Sequence, residues 1–349
     1  MRLLFITRKI DKNDPRAGFV SEWVAKLAVH LDKLIIICQE KGNLSGLPRN
    51  IEVHSLGKEK GKCKFKQLIL FYYFIILFLN KVDGVFSHMM PIYSIIVGPW
   101  CKLFGKKLVQ WYMHKSIDWR LKLANFFVDE FATASKESFR LKTNKKINIL
   151  GHGIDTNFFI PSNHTLVGNY YNILTIGRIS PIKDYESIIK AVYNLTEQGI
   201  ANIKLTVVGG IGLPQHQAYL DSLKQMVKKM NLEKIVDFIG PVPHAETLKY
   251  LHQADLFINL GDTGGLDKSA LEAMASEIIT LAANEAFIPV LPAELIVPKD
   301  DPKNLAEKIK LVMNLGLEQK EKIVKQLRQQ VVTNHNLDKL VKKIADLFT

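Results

Sequence analysis

Residues 172–198 read NILTIGRISPIKDYESIIKAVYNLTEQ. The stretch 172–177 is an apolar run closed by a glycine, as expected of a strand buried on both faces. Residues 184–198 bring apolar side chains back at helical spacing. Strand, turn and helix in that order are half of a βαβ unit, and the chain repeats it in both directions. Downstream the strand runs are 203–208 (IKLTVV), 235–239 (IVDFI), 255–260 (DLFINL) and 278–283 (IITLAA), with helices near 214–231, 244–253 and 268–276. Upstream they are 2–7 (RLLFIT), 33–38 (KLIIIC), 50–56, 83–87, 107–113, 130–134 and 146–150, most of them separated by helical patterns. Such alternation specifies parallel sheets covered on both faces. The expected class is α/β, two Rossmann-like doubly wound domains.

Length and composition agree with two domains. The chain has 349 residues, 47% of them apolar and 23% charged, enough to bury a sizeable core and too apolar for wholesale disorder. The join is expected in 160–168, a polar stretch with Pro161 and Gly168, giving domains 1–165 and 166–332. A closing segment, 333–349, contains a helical pattern at 336–348.

The 47 Lys and Arg outnumber the 34 Asp and Glu, a net charge of +13, and the excess is confined to one half. Residues 1–165 hold 26 basic and 13 acidic side chains; the remainder is balanced. That asymmetry suggests an anionic partner on the first domain: nucleic acid, a membrane surface or a phosphorylated acceptor. Zinc-finger spacing, an RNA-binding aromatic signature and a helix-turn-helix are all missing, which disfavours nucleic acid. Three scattered cysteines, Cys38, Cys63 and Cys101, fit a reducing cytoplasm better than a disulfide framework or zinc cluster. The four straight apolar residues of 3–6 are too few for a signal-peptide core.

One segment departs from the soluble pattern. Residues 68–79 (LILFYYFIILFL) are apolar all round, and Lys58, Lys60, Lys62, Lys64 and Lys66 precede them. Twelve residues fall short of the ~20 a spanning helix needs. The segment is then either a helix fully buried against the sheet or one that dips into a membrane interface while the lysines meet anionic headgroups.

Candidate chemistry gathers at strand ends of the second domain, where open α/β sheets bind ligands. Gly177-Arg178-Ile-Ser-Pro-Ile-Lys183 leaves the first strand and enters a helix; Arg178 can fork two hydrogen bonds to phosphate and Lys183 adds a point charge. Gly209, in Val207-Val-Gly-Gly, lets backbone approach a ligand. Gly264-Gly265-Leu266-Asp267-Lys268-Ser269 runs from a strand end into a helix, presenting backbone amides, and Glu272 about one turn in has a carboxylate able to accept two ribose hydroxyls.

The ordered set GRISPIKD, VVGG, VDFIGPVPHAETLKYLHQADLFINL and LDKSALEAMA, preceded by GHGIDTNFF at 151–159, resembles the retaining nucleotide-sugar glycosyltransferases of family 4 (group 1). The resemblance is strong over 130–315 and weak over 1–100. It implies the GT-B fold, two Rossmann-like domains facing across a cleft, with the closing helix returning to the first domain. It implies that Arg178 and Lys183 hold the diphosphate of a UDP- or GDP-sugar, that Glu272 binds the ribose, and that Ile239, Gly240 and Val242 wall the nucleobase. Ala17-Gly18 stands for the family's glycine loop, and His114 for the histidine that ends a mid-domain strand beside the transferred sugar.

The sequence departs from the family pattern at named positions. Gly264 replaces the first glutamate of E-x7-E, Asp267 and Lys268 replace a glycine and an apolar residue, Ala283-Asn-Glu-Ala-Phe287 replaces a glycine-rich stretch, and His152 replaces an asparagine. No Asp-x-Asp triplet occurs, so a metal-independent reaction without cofactor is expected. The preferred reading is transfer from a nucleotide sugar to a glycan or lipid-linked acceptor in surface polysaccharide or lipopolysaccharide synthesis, at the cytoplasmic membrane face. The alternatives are an epimerase or hydrolase of the same fold and a non-catalytic basic binding protein.

Overall fold

The computed structural model describes residues 1–14, 17–162, 170–262 and 264–349, and these form two compact units. The first unit comprises Met1–Gly153 and His335–Thr349, the second Ile154–Asn334.

In the first unit the elements run β1 (Arg2–Ile10), α1 (Gly18–Ala28), β2 (Lys33–Lys41), β3 (Ile51–Ser55), α2 (Lys64–Phe78), β4 (Gly84–His88), α3 (Pro91–Leu103), β5 (Lys107–Trp111), α4 (Trp119–Phe127), β6 (Glu130–Thr133) and β7 (Lys146–Ile149). The strands pair in parallel in the order β3-β2-β1-β4-β5-β6-β7. Strand β1 shows why the apolar runs are continuous. Leu3 and Phe5 face one core with Trp23, Leu34 and Ile36, while Leu4 and Ile6 face a second core with Ile35, Ile37, Phe71 and Ile75. Alternation is intact, but both faces are covered.

The second unit runs β8 (Tyr171–Ile176), α5 (Tyr185–Glu197), β9 (Ile203–Val208), α6 (Gln217–Lys229), β10 (Val236–Gly240), α7 (Thr247–Leu251), β11 (Leu256–Asn259), α8 (Lys268–Ala275), β12 (Ile279–Ala282), α9 (Pro302–Met313) and α10 (Leu317–Asn334). Its sheet is parallel in the order β10-β9-β8-β11-β12. The order reverses between β8 and β11, a topological switch point.

The change of unit comes at Gly153/Ile154, ahead of the 165/166 boundary that composition suggests. Ile154 and Phe159 are fully buried in the second core. The guanidinium of Arg328 on α10 also donates to the carbonyls of Thr156, Phe159 and Ala275. Most of the expected 160–168 join cannot be placed, because residues 163–169 lie outside the described residues. The last helix, α11 (Leu337–Asp346), lies in the first unit against α1. Leu337, Leu340, Val341 and Ile344 enter the core around Trp23, and Lys26 pairs with Asp338 at 2.9 Å. By unit the charge is 29 basic against 14 acidic side chains in the first and 18 against 20 in the second.

The apolar segment 68–79 is not buried all round. Of the residues of α2 only Phe71, Ile75 and Phe78 are buried; Phe65, Ile69, Tyr73 and Ile76 are exposed. Sheet contact occupies one stripe of a helix, and every position of this one is apolar after Gln67. Among the described residues no helix is long and apolar enough to cross a membrane.

Candidate functional site

The strand-end residues expected to bind a donor come together at the switch point of the second sheet. Gly177 follows β8, its N–H donating to the carbonyl of Val208, and the chain then turns through 178–183 into α5. Asp184 caps α5 from a left-handed conformation (φ 48°), its carboxylate accepting from Ser187 N at 3.2 Å, and burial shifts its pKa upward. Burial likewise pushes the Tyr185 phenol up, so it stays a donor, reaching the Arg178 carbonyl at 3.4 Å. Arg178 itself is exposed at the strand end, while Ile179 and Gly210 hold the two neighbouring loops together through backbone hydrogen bonds.

Lys183 is 9% exposed and its Nζ lies 2.7 Å from Asp267 Oδ2. This ion pair joins the loop after β8 to the loop after β11, across the switch point. Space for it comes from Gly261, where a Cβ would stand 2.8 Å from Lys183 Nζ and 2.7 Å from Asp267 Oδ2. No local motif marks Gly261, and only the fold reveals its use.

Backbone approach is closest between Gly177 and Gly209. A Cβ on Gly209, whose φ is 146°, would sit 1.8 Å from the Gly177 carbonyl oxygen. Gly209 N–H donates to the Gly240 carbonyl, so the three glycines line up at the carboxyl ends of β8, β9 and β10. Beside them Ile239 is exposed and Val242 is half-buried against the core.

The 264–272 segment divides between anchoring and access. The Leu266 side chain is buried in the core, which leaves only its backbone for a ligand. The Ser269 hydroxyl donates to the Ile176 carbonyl at 2.9 Å, fastening the start of α8 to the end of β8. Buried Asn284 donates to the Gly265 carbonyl at 2.8 Å. Asp267 occupies the N-cap position of α8 without a side-chain cap bond, its carboxylate being turned to Lys183. Lys268 is the half-buried first residue of that helix, whose first-turn N–H groups lie at the sheet's carboxyl edge and favour an anion there.

Glu272, 3% exposed, takes a partner that sequence reasoning missed: His244 Nε2 lies 2.7 Å from its Oε1. His244 opens the turn after β10 and its ring stands 5.5 Å from Phe159. Its signal was the VPHAE stretch following V-x-F-x-G, which placed it next to the nucleobase wall. A buried carboxylate whose one oxygen is held by an imidazole keeps a fixed orientation for the other.

Gly18 and His114 belong to the first unit. Gly18 begins α1 and is buried, its N–H donating to the Asp14 carbonyl. The loop before it is held by Lys9, which contacts Asp11, Asp14 and Glu40 at 3.2, 2.7 and 3.0 Å. Strand β5 ends at Trp111, so His114 lies beyond the strand rather than at its end. It is exposed and bridges to Phe139, and Ser116 N and Oγ turn back to its Nδ1 at 3.2 and 3.0 Å. The regular ladder ends at Trp111, so the 107–113 run is shorter as a strand. A cavity of about 540 Å³ lined by Asn172, Asp255, Ile278 and Lys325 opens near the starts of β8, β11 and β12, the edge opposite the motif residues.

Comparison with known proteins places this geometry in a family. The family model for glycosyl transferases group 1 matches residues 157–330. Over 214 residues the chain is 25% identical to the putative colanic acid biosynthesis glycosyltransferase WcaL of Escherichia coli (strain K12), covering 58% of this chain and 51% of that protein. It is 26% identical over 214 residues to the amylovoran biosynthesis glycosyltransferase AmsK of Erwinia amylovora, with the same coverages. The chain thus spans about half the length of these curated relatives. Among solved structures, Anabaena HepE, determined in complex with UDP, superposes with a TM-score of 0.78 at 17% identity over 99% of both chains, a likeness of fold. With the strand-end residues from Gly177 to Glu272 inside the matched region, this chain belongs to the glycosyl transferases group 1.

Proposed function

We propose that the protein is a retaining, metal-independent glycosyltransferase that moves a sugar from a UDP- or GDP-sugar to a glycan or lipid-linked acceptor in surface polysaccharide or lipopolysaccharide synthesis. The carrying observation is the joining of Lys183 and Asp267 across the switch point, beside exposed Arg178 and the start of α8. In this reading Arg178, Lys183 and the first amides of α8 neutralise the donor diphosphate as it departs, preorganised electrostatics worth several kcal/mol. Glu272, oriented by His244, accepts the ribose hydroxyls, and the strand-end segment of Ile239, Gly240 and Val242 borders the base. Gly177, Gly209, Gly265 and Leu266 contribute backbone. The bond from anomeric carbon to diphosphate oxygen breaks with its electron pair going to the phosphate. The acceptor oxygen bonds on the same face, and its proton leaves with the diphosphate. His114 and Gly18 of the first unit are the sugar-side contacts in this reading.

The acceptor is met at the cytoplasmic face of an anionic membrane, with Lys58, Lys60, Lys62, Lys64 and Lys66 and the 68–79 segment as the contact. The excess charge of the first unit supports that placement. Turnover of a radiolabelled nucleotide sugar tests the assignment: Arg178→Ala with Lys183→Ala should abolish it. Unimpaired transfer in the double variant, or an isomerised donor in place of a transferred sugar, refutes it.

A further inference from the structure

The layer formed by α2, α3 and α4 has an outer surface that the catalytic reading does not use. All three helices cover the same face of the first sheet: Phe71, Ile75, Tyr93, Val97, Cys101 and Leu121 share one core with the even-numbered side of β1. They are neighbours to one another. The Tyr72 and Trp100 rings lie 6.3 Å apart between α2 and α3, and Lys102 of α3 donates to the Phe126 carbonyl of α4 at 2.7 Å.

On the side away from the sheet, Ile69, Tyr73, Ile76, Leu103, Trp119 and Phe126 are each more than half exposed. A monomeric soluble protein rarely shows so many large apolar side chains on one face unless the face docks to something. Charge identifies the occupant. The sequences of α2, α3 and α4 contain Lys64, Lys66, Lys102, Arg120 and Lys122 and not one Asp or Glu. The carboxylates at the margins each hold a hydrogen-bond partner. Asp118 accepts from Leu121 N, Asp83 from Arg2 N and Asp129 from Leu108 N, while Glu59 takes the Ser55 hydroxyl. The cations lie at both ends of the layer, because each helix starts at the carboxyl edge of the sheet and finishes at the amino edge. Arg120 lies over the Trp119 ring at 5.4 Å and Lys102 over Phe127 at 5.6 Å, so the stems of these cations run along apolar surface.

We infer that the exposed face of α2, α3 and α4 docks onto an anionic phospholipid bilayer, the apolar side chains entering the headgroup boundary and the surrounding cations meeting lipid phosphates. This inference rests on the membrane-acceptor reading and extends it from one apolar segment to a three-helix surface. The apolar part supplies depth and the cations supply preference for negative lipid, each basic side chain near such a surface contributing about fivefold in partition.

Flotation with phosphatidylcholine vesicles, with and without 30% phosphatidylglycerol, tests it on the full chain. Expected is binding to the anionic vesicles alone, weakened by salt. Lys64→Gln with Lys66→Gln should weaken it by an order of magnitude. Ile69→Ser, Leu103→Ser and Phe126→Ser, on α2, α3 and α4, should each reduce it, with UDP binding and thermal unfolding unchanged. Loss confined to the α2 variant overturns the three-helix surface. So does undiminished flotation in all variants, or a dimer in solution that Ile69→Ser with Phe126→Ser dissolves. Vesicle binding without nucleotide affinity would leave the surface intact and remove the glycosyltransferase reading; nucleotide affinity without vesicle binding would do the reverse.

Discussion

Replacing Asp267 by Asn should move stability and donor affinity in opposite directions. In the free protein Lys183 and Asp267 are both largely out of solvent, at 9% residue exposure for Lys183 and 16% side-chain exposure for Asp267, and 2.7 Å apart. Asn retains an oxygen for the ammonium but removes the charge, leaving Lys183 partly buried without a counter-ion. Breaking a fully buried pair costs about 3–5 kcal/mol. With partial exposure and a retained hydrogen bond, a loss of about 1–2 kcal/mol is expected.

A bound diphosphate reverses the sign. A unit negative charge about 5 Å from a phosphate charge, at an effective dielectric of about 20, opposes it by roughly 3 kcal/mol before ionic screening. Removing it should tighten UDP by about 1.4–2.8 kcal/mol, roughly ten- to a hundredfold. Isothermal titration of UDP and urea unfolding, each on the wild type, Asp267→Asn, Lys183→Met and the double variant, separate the two effects. Lys183→Met should weaken UDP, and the gain from Asp267→Asn should shrink when Lys183 is absent. Equal or weaker UDP binding by Asp267→Asn would refute the reasoning, because Asp267 would then be serving the ligand rather than competing with it.

Other outcomes follow from single residues. Glu272→Gln should weaken UDP by about 1–2 kcal/mol but leave 2′,3′-dideoxy-UDP unaffected; an equal loss for both ligands would exclude ribose recognition. Gly209→Ala should destabilise the second unit by more than about 3 kcal/mol, since its Cβ meets backbone in a conformation L-residues rarely adopt; a wild-type urea midpoint would contradict the close approach. His335, buried and accepting from His152 N, has its pKa lowered to about 3, chiefly by desolvation and then by the charges of His152 and Lys343. Below the unfolded value near 6.5 the unfolded chain binds a proton that the folded chain refuses. Stability should therefore fall as pH drops from 6.5 toward 3, by about 2–3 kcal/mol at pH 4.5. His335→Gln should flatten that part of the pH–stability curve, and an unchanged slope would show that other groups set it.

Much of the fold was legible because buried parallel strands have a strong signature. All twelve apolar runs read from sequence occur as strands, most within one or two residues. The glycine and lysine spacing of 177–183 and the ALEAMA helix were equally plain, since they are local patterns on one stretch of chain. His114 shows where locality fails: the apolar run 107–113 continues past Trp111, but the regular ladder ends there and only an isolated bridge from His114 to Phe139 follows. The α2 segment shows it again. Composition cannot tell a helix covered on all sides from one covered on a single stripe, because burial depends on which elements surround it.

The class, the order of strands and helices, the candidate ligand edge of the second sheet and the concentration of charge in one half can all be read along the chain. These depend on residue type and on spacing over a few residues. Tertiary structure alone decided that Lys183 meets Asp267, that Gly261 makes room for them, that His244 holds Glu272, and that three carboxylate-free helices share one exposed face. Each is a meeting of residues far apart in the chain, from 28 positions for His244 and Glu272 to 84 for Lys183 and Asp267. No local pattern encodes such pairs; the parallel crossover topology creates them by bringing successive strand ends to one edge.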